Sequence, residues 1–225
     1  MYDHEKYLPV VRFHSIRFGV ILRKCVHIRS VMINKNLLPQ DGEAYYSDKI
    51  LDLPVAKKYF NELIQNIQWQ HDKIIMFGKT IITKREVAWY GDAGLQYTYS
   101  GKTKKAIAWT NTLLTLKNIV EEKTSETFNS CLLNLYHNGS EGMGWHADNE
   151  KDLKKDAAIA SLSLGAERKF SFKHKRSKQT ISILLENGSL LLMKGHIQQH
   201  WLHQLPASKK ISEPRINLTF RQIIQ

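Results

Sequence analysis

Apolar positions along the chain follow two rhythms. From Pro54 onward, Val55, Tyr59, Phe60, Leu63, Ile64 and Ile67 recur every three or four residues. That spacing predicts an amphipathic helix, and proline suits its first turn. Trp109, Leu113, Leu116, Ile119 and Val120 repeat the pattern and predict a second helix. Both apolar stripes read as packing faces.

From Asn129 the rhythm shortens. Apolar runs over 131–136, 157–164, 169–172, 180–185, 189–193 and 216–220 predict strands. Asn138-Gly139 and Asn187-Gly188 are turn dipeptides between them. Short strands in succession, with no helices between, point to a sandwich or jelly roll and away from a parallel α/β sheet. The expected class is α+β, with helices over 36–128 ahead of a β-core over 129–225. No internal repeat or low-complexity linker interrupts it.

Residues 1–35 stand apart. The stretch 12–29 mixes basic residues with valine, isoleucine and phenylalanine and contains no acid. It reads as a basic arm, a targeting segment such as a transit peptide, or a poorly ordered extension. It lacks the apolar core and cleavage site of a secretory signal. No function is assigned to it.

The chain has 225 residues, enough for one sizeable core. Its net charge of +12 favours polyanions, with nucleic acid ahead of anionic membrane and plain solubility as the bland alternative. No apolar run approaches the roughly 18 residues of a membrane-spanning helix. The two cysteines, Cys25 and Cys131, lie far apart and make no metal-type spacing. A reducing, intracellular setting suits them: the cytoplasm of a bacterium or the nucleus of a eukaryote.

The candidate chemistry starts at Gly144-Trp145-His146-Ala147-Asp148. In extended chain, residues i and i+2 point the same way, so His146 and Asp148 can offer an imidazole and a carboxylate to one metal. His203, in Trp201-Leu202-His203, is the candidate third ligand if a late strand returns beside the first. Two histidines and a carboxylate on one face of iron(II) leave positions open for a bidentate co-substrate and oxygen. A bare His-x-Asp is a weak signal, since an exposed loop histidine is the commoner case.

The segment 215–221 adds weight. It places Arg215, Asn217, Thr219 and Arg221 on one face of a strand and Ile216, Leu218 and Phe220 on the other. A solvated amphipathic strand would look the same. Beside an iron site, however, a guanidinium fork suits a dicarboxylate. Asn134 and Tyr136 alternate in the same manner on an earlier strand.

Taken together, these segments resemble the AlkB family of dealkylating dioxygenases. The resemblance rests on Asn134-Leu135-Tyr136, His146 to Glu150, Ala160 to Gly165, the His203 region and Arg215 to Arg221, in order and at similar spacing. Upstream, Phe77-Gly78-Lys79, Trp89 to Gly94 and Tyr97 to Gly101 resemble the member that repairs double-stranded DNA. The likeness covers roughly residues 36–223. It implies a double-stranded β-helix with supporting helices and a nucleotide-recognition lid. It also implies iron(II), with 2-oxoglutarate and O2 as co-substrates. By resemblance, His146, Asp148 and His203 bind the metal. Arg215 pairs with the distal carboxylate of 2-oxoglutarate, and Asn134, Tyr136, Asn217 and Arg221 help to hold it. Tyr97, Tyr99 and Ser100 line a base pocket, Glu150 meets the exocyclic amino group, and Phe77 fills the gap left by a flipped base.

The implied activity is oxidative demethylation of 1-methyladenine and 3-methylcytosine in DNA, by a monomer that uses no membrane. Extrusion of the base follows from the burial of its ring nitrogen in a duplex. Three rivals stay open: an RNA demethylase of the same family, a nucleic-acid-binding module without turnover, and a zinc hydrolase on the same ligands. Two departures stand out. Asn149 replaces a second acid, and Lys84-Arg85 replaces a Pro-Arg.

Overall fold

The computed structural model describes residues 35–76, 79–99 and 102–224, with side chains outside 72–81 and 97–104. The first part of the chain holds β1 (Glu43–Ser47), α1 (Leu53–Asn66), β2 (Gln70–Met76), β3 (Lys79–Gly91), β4 (Gln96–Tyr99), β5 (Lys102–Lys105), β6 (Ile107–Ala108) and α2 (Asn111–Thr124). The second part holds β7 (Ser130–Tyr136), β8 (Met143–His146), β9 (Ile159–Gly165), β10 (Arg168–His174), β11 (Thr180–Leu185) and β12 (Leu190–Lys194). It ends with α3 (Ile197–His200), β13 (Trp201–Leu205) and β14 (Arg215–Arg221).

Two sheets face each other. The larger runs β1-β12-β9-β14-β7-β3-β2, with β6 joined to β3, and the smaller runs β11-β10-β13-β8. β14 lies between β7 and β9, antiparallel to both. Because β1 and β3 enter the larger sheet, the β-core begins well upstream of residue 129. Lys84, Arg85 and Glu86 interrupt the alternation of β3, so the expected boundary does not mark the edge of a fold unit.

Both long helices form where the apolar spacing predicts. α1 carries proline in its first turn and buries Ala56 and Leu63, while Val55 turns outward. α2 begins later than its stripe suggests. Thr110 accepts the Leu113 N–H through Oγ1 and caps the helix. Trp109 therefore precedes it, and its indole N–H donates to Asp92 at 2.7 Å. The one-turn α3 is the helix that the strand-only pattern after residue 129 misses. Among the described residues, no helix is long and apolar enough to cross a membrane.

The Asn187-Gly188 turn shows why glycine is required. Gly188 has φ +83°, and a Cβ there would meet the Leu51 carbonyl oxygen at 2.5 Å. Its N–H donates to Ser163 and its carbonyl accepts from Ile50 and Leu51. The turn thus joins the end of β9 to the start of α1.

The larger sheet is buried on both faces. Ile216, Leu218 and Phe220, with Leu133, Leu162 and Leu164, pack against Ala56, Leu63, Leu113 and Leu116 of the helices. Between the sheets, Phe170, Phe172 and Leu205 meet Tyr136, Leu191 and Met193. The polar face of β14 points into this inter-sheet space, and Arg215, Asn217, Thr219 and Arg221 are all buried. A solvated strand is therefore excluded.

Leu218 is fully buried at the centre of the helix-side cluster. Leu218→Ala is expected to cost about 3 kcal/mol by urea denaturation, the usual range for a core leucine that leaves a cavity.

Candidate metal and co-substrate site

β8 and β13 pair antiparallel, and their register sets His203 opposite His146. The two rings lie 4.2 Å apart between centroids, and Phe170 stacks on His203 at 5.5 Å. Asp148, two residues past His146, brings its carboxylate to the same point. Its Oδ1 lies 3.7 Å from His146 Nε2 and 3.9 Å from His203 Nε2. These gaps are too long for hydrogen bonds. They match donors held about 2.1 Å from a common ion, whose mutual separations fall between about 3 and 4.2 Å. One ligand atom from each residue lies within 4.8 Å of the others.

The surroundings prepare each donor. His146 Nδ1–H donates to the Gly144 carbonyl at 2.8 Å, which leaves the Nε2 lone pair facing Asp148. Arg221 donates to Asp148 Oδ2 at 2.8 Å. Burial alone would raise the Asp148 carboxyl, but Arg221, His203 and His146 outweigh it and hold the group below the ordinary carboxylate range. His203 moves the other way from its usual value. Burial is the main cause, opposed by Asp148 and assisted by His146 and Arg221, and it pulls the imidazole down to about 4. At neutral pH the cluster therefore offers one anion and a lone pair on His203. A borderline N/O donor set of this kind suits iron(II), and these residues fit the metal.

Behind the triad lies a second polar cluster. Arg215 Nη2 donates to Ser163 Oγ and Asn217 Oδ1, both at 2.9 Å. Ser161 Oγ donates to the same Asn217 oxygen at 2.7 Å, and Asn217 Nδ2 donates to Thr219 Oγ1 at 2.6 Å. Arg215 is 2% exposed, Ser163 and Asn217 are neutral, and its Nε has no partner among the described residues. Burial first, with Arg168 nearby, pulls the guanidinium down to about 10, against a contribution from Tyr136 that raises it. A buried cation of this kind calls for an anion, and a carboxylate is the shape that a guanidinium fork binds best. The cluster fits 2-oxoglutarate.

Triad and arginine share one cavity of about 700 Å³. Asn134, Tyr136, Asn217 and Arg221 line it. Glu150 lines it too, and its Oε2 is buried without a partner among the described residues. Phe77 and Ser100 lie outside the described residues. Tyr97 and Tyr99 stand on β4, with their side chains outside the description.

The cavity also takes in residues given no site role by sequence reasoning. Ser161 lines it, and Ser163 supports Arg215 from the same strand. Their alternation with Leu162 and Leu164 is a readable signal, the same device as on β14. Gln68, Gln70, Arg85 and Trp89 reach the cavity from β2, β3 and the chain before them. Nothing local marks them, since their inward direction depends on β3 joining the larger sheet. Arg168 is buried behind Tyr136 and donates to the carbonyls of Gly139, Glu141 and Pro206.

The depressed His203 value sets a stability window. The unfolded imidazole titrates near 6.5 and the folded one near about 4. Below the first value the unfolded chain binds the extra proton, so the contribution of His203 is complete above about 6.5 and is lost as pH falls toward about 4. For metal-free protein, the unfolding free energy should decline across that interval. In His203→Gln the decline should be shallower, as measured by denaturant titration at successive pH values.

Comparison with known proteins agrees with this geometry. The model of the 2OG-Fe(II) oxygenase superfamily matches residues 43–221. The chain is 41% identical over 180 residues to the DNA oxidative demethylase ALKBH2 of Mus musculus, covering 75% of each. It is 36% identical over 206 residues to the Homo sapiens protein of the same name, covering 88% of this chain and 76% of that one. Against the alpha-ketoglutarate-dependent dioxygenase alkB homolog 3 of Bos taurus it is 39% identical over 183 residues, or 77% of this chain and 63% of that protein. A solved structure described as "The structure of OsALKBH1" superposes with a TM-score of 0.56 at 16% identity, covering 80% of this chain and 96% of that one, which is a likeness of fold. The matched span takes in both sheets, the three metal donors and the buried arginine, and the chain belongs to the 2OG-Fe(II) oxygenase superfamily.

Proposed function

We propose that this chain is an iron(II)- and 2-oxoglutarate-dependent dioxygenase that removes alkyl groups from bases in DNA, 1-methyladenine and 3-methylcytosine first among them. The observation that carries the reading is a three-donor metal nest and an uncompensated buried guanidinium within one cavity. The names of the mouse and human relatives, DNA oxidative demethylase, support the substrate. The net charge of +12 supports a polyanionic partner.

Iron(II), with 2-oxoglutarate and oxygen, supplies the oxidation that hydroxylates an N-linked methyl carbon, which then leaves as formaldehyde. The chain's own residues do the positioning. His146, Asp148 and His203 hold the metal on one face. Arg215 would pair with the distal carboxylate of the co-substrate through the guanidinium N–H groups that Ser163 and Asn217, which hold Nη2, leave over. Asn134 and Tyr136 line the co-substrate, and Arg221 keeps Asp148 ionised and turned toward the imidazoles.

In the same cavity, the unpartnered oxygen of Glu150 would accept from the exocyclic amino group of an extruded base. By the family resemblance, Tyr97, Tyr99 and Ser100 would line the rest of the base pocket and Phe77 would be the wedge that replaces the flipped base. In this reading the protein acts as an intracellular monomer, in the cytoplasm of a bacterium or the nucleus of a eukaryote.

Two outcomes are expected. With iron, ascorbate and 2-oxoglutarate, the protein should release formaldehyde from oligonucleotides carrying 1-methyladenine or 3-methylcytosine, and His146→Ala or Asp148→Ala should abolish release. Silence on single-stranded DNA, duplex DNA and RNA alike would end the demethylase reading, whereas release from RNA alone would move the substrate. Arg215→Met should raise the KM for 2-oxoglutarate by about a hundredfold or more. The same change should leave the thermal midpoint of metal-free protein no lower, because it removes a buried charge that lacks a counterion.

A further inference from the structure

The segment 147–158 between β8 and β9 carries Asp148 and Glu150, so it holds the candidate metal carboxylate and the acid proposed to meet the base. The short helix α3 grips this segment at two places. Gln198 Oε1 accepts the Asp148 backbone N–H at 2.9 Å. Gln199 Nε2 donates to Asp156 Oδ1 at 2.8 Å, and His196 Nδ1 lies 3.4 Å from the same oxygen. From the other side, Lys175 Nζ donates to the carbonyls of Gln198 and Gln199 at 2.9 and 2.8 Å. α3 then runs directly into β13, which carries His203.

Asp148 is 7% exposed. A buried backbone N–H needs an acceptor, and the Gln198 side chain supplies it. Without that oxygen the peptide would rotate toward another acceptor and swing the carboxylate away from the imidazoles. A single helical turn has little stability of its own, so α3 is held in place by the burial of Ile197 together with these ties. We propose that Gln198 is a positioning residue for the metal centre. Its amide oxygen fixes the backbone at Asp148 and thereby couples the His146–Asp148 segment to the strand bearing His203. The inference rests on the metal-binding reading above.

Two substitutions separate this role from plain packing. Gln198→Met keeps the volume and loses the acceptor, while Gln198→Glu keeps an acceptor oxygen. Manganese(II) is titrated calorimetrically into the metal-free full chain, with thermal midpoints recorded for each protein. The parent should bind one equivalent and His146→Ala none. If the parent binds no manganese(II), the metal reading itself fails. Gln198→Met should bind about tenfold or more weakly, the usual loss for an outer-shell partner of a metal ligand, and Gln198→Glu should stay within about threefold of the parent. Parent-like binding by Gln198→Met, or equal losses in both variants, would overturn the positioning role while the metal site stands. If Gln198→Met does not fold, Gln198→Asn replaces it with the same expectation, being one methylene too short to reach the Asp148 N–H.

Discussion

Arg215 and Arg221 bring two of the buried guanidinium groups between the β-sheets, and the site is arranged around that charge. Arg215 and Arg221 project from the same face of β14, six residues apart on a strand hydrogen-bonded on both sides. Their situations differ. Arg221 has a counterion in Asp148, and the pair helps to keep the carboxylate ionised and oriented. Arg215 has two neutral acceptors, and burial pulls its guanidinium down to about 10 without removing its charge at neutral pH. A buried ion without its partner destabilises a protein. Arg215 is thus a cost to the ligand-free fold, which in the proposed function the co-substrate's carboxylate would offset.

Such a face is sustainable because stability comes from elsewhere. The opposite face of the larger sheet is closed by α1 and α2 over a continuous apolar cluster. The inter-sheet space is apolar at one end, around Phe172 and Trp201, and polar at the other. Arg168 contributes in a third way. It gathers carbonyls from the turn after β7 and from Pro206, so both chains that border the cavity behind Tyr136 are held by one side chain. Site and core share strands but occupy alternate positions, so the site stays rigid without lying in the main apolar core.

Legibility in the sequence followed local periodicity. The alternation of Arg215, Asn217, Thr219 and Arg221 with Ile216, Leu218 and Phe220 was readable, as was that of Asn134 and Tyr136 with Leu133 and Leu135. Both helices announced themselves by spacing, though Thr110 moved the start of α2 past Trp109. β3 was not readable, because its charged residues interrupt an alternation that only pairing with β7 makes sense of. Gln68, Gln70, Arg85 and Trp89 were missed with it. Gln198 and Arg168 act through backbone groups distant in sequence, and no residue-type pattern marks such a bond.

The sequence by itself determined which side chains share a face and which residue types could chelate a metal, since both follow from covalent geometry and a two-residue period. Only tertiary structure decided that His203 sits opposite His146, that the polar face of β14 turns inward, and that Arg215 stays uncompensated while Arg221 does not. Those outcomes depend on strand register and on which sheet covers which face, and these are set by contacts between segments dozens of residues apart.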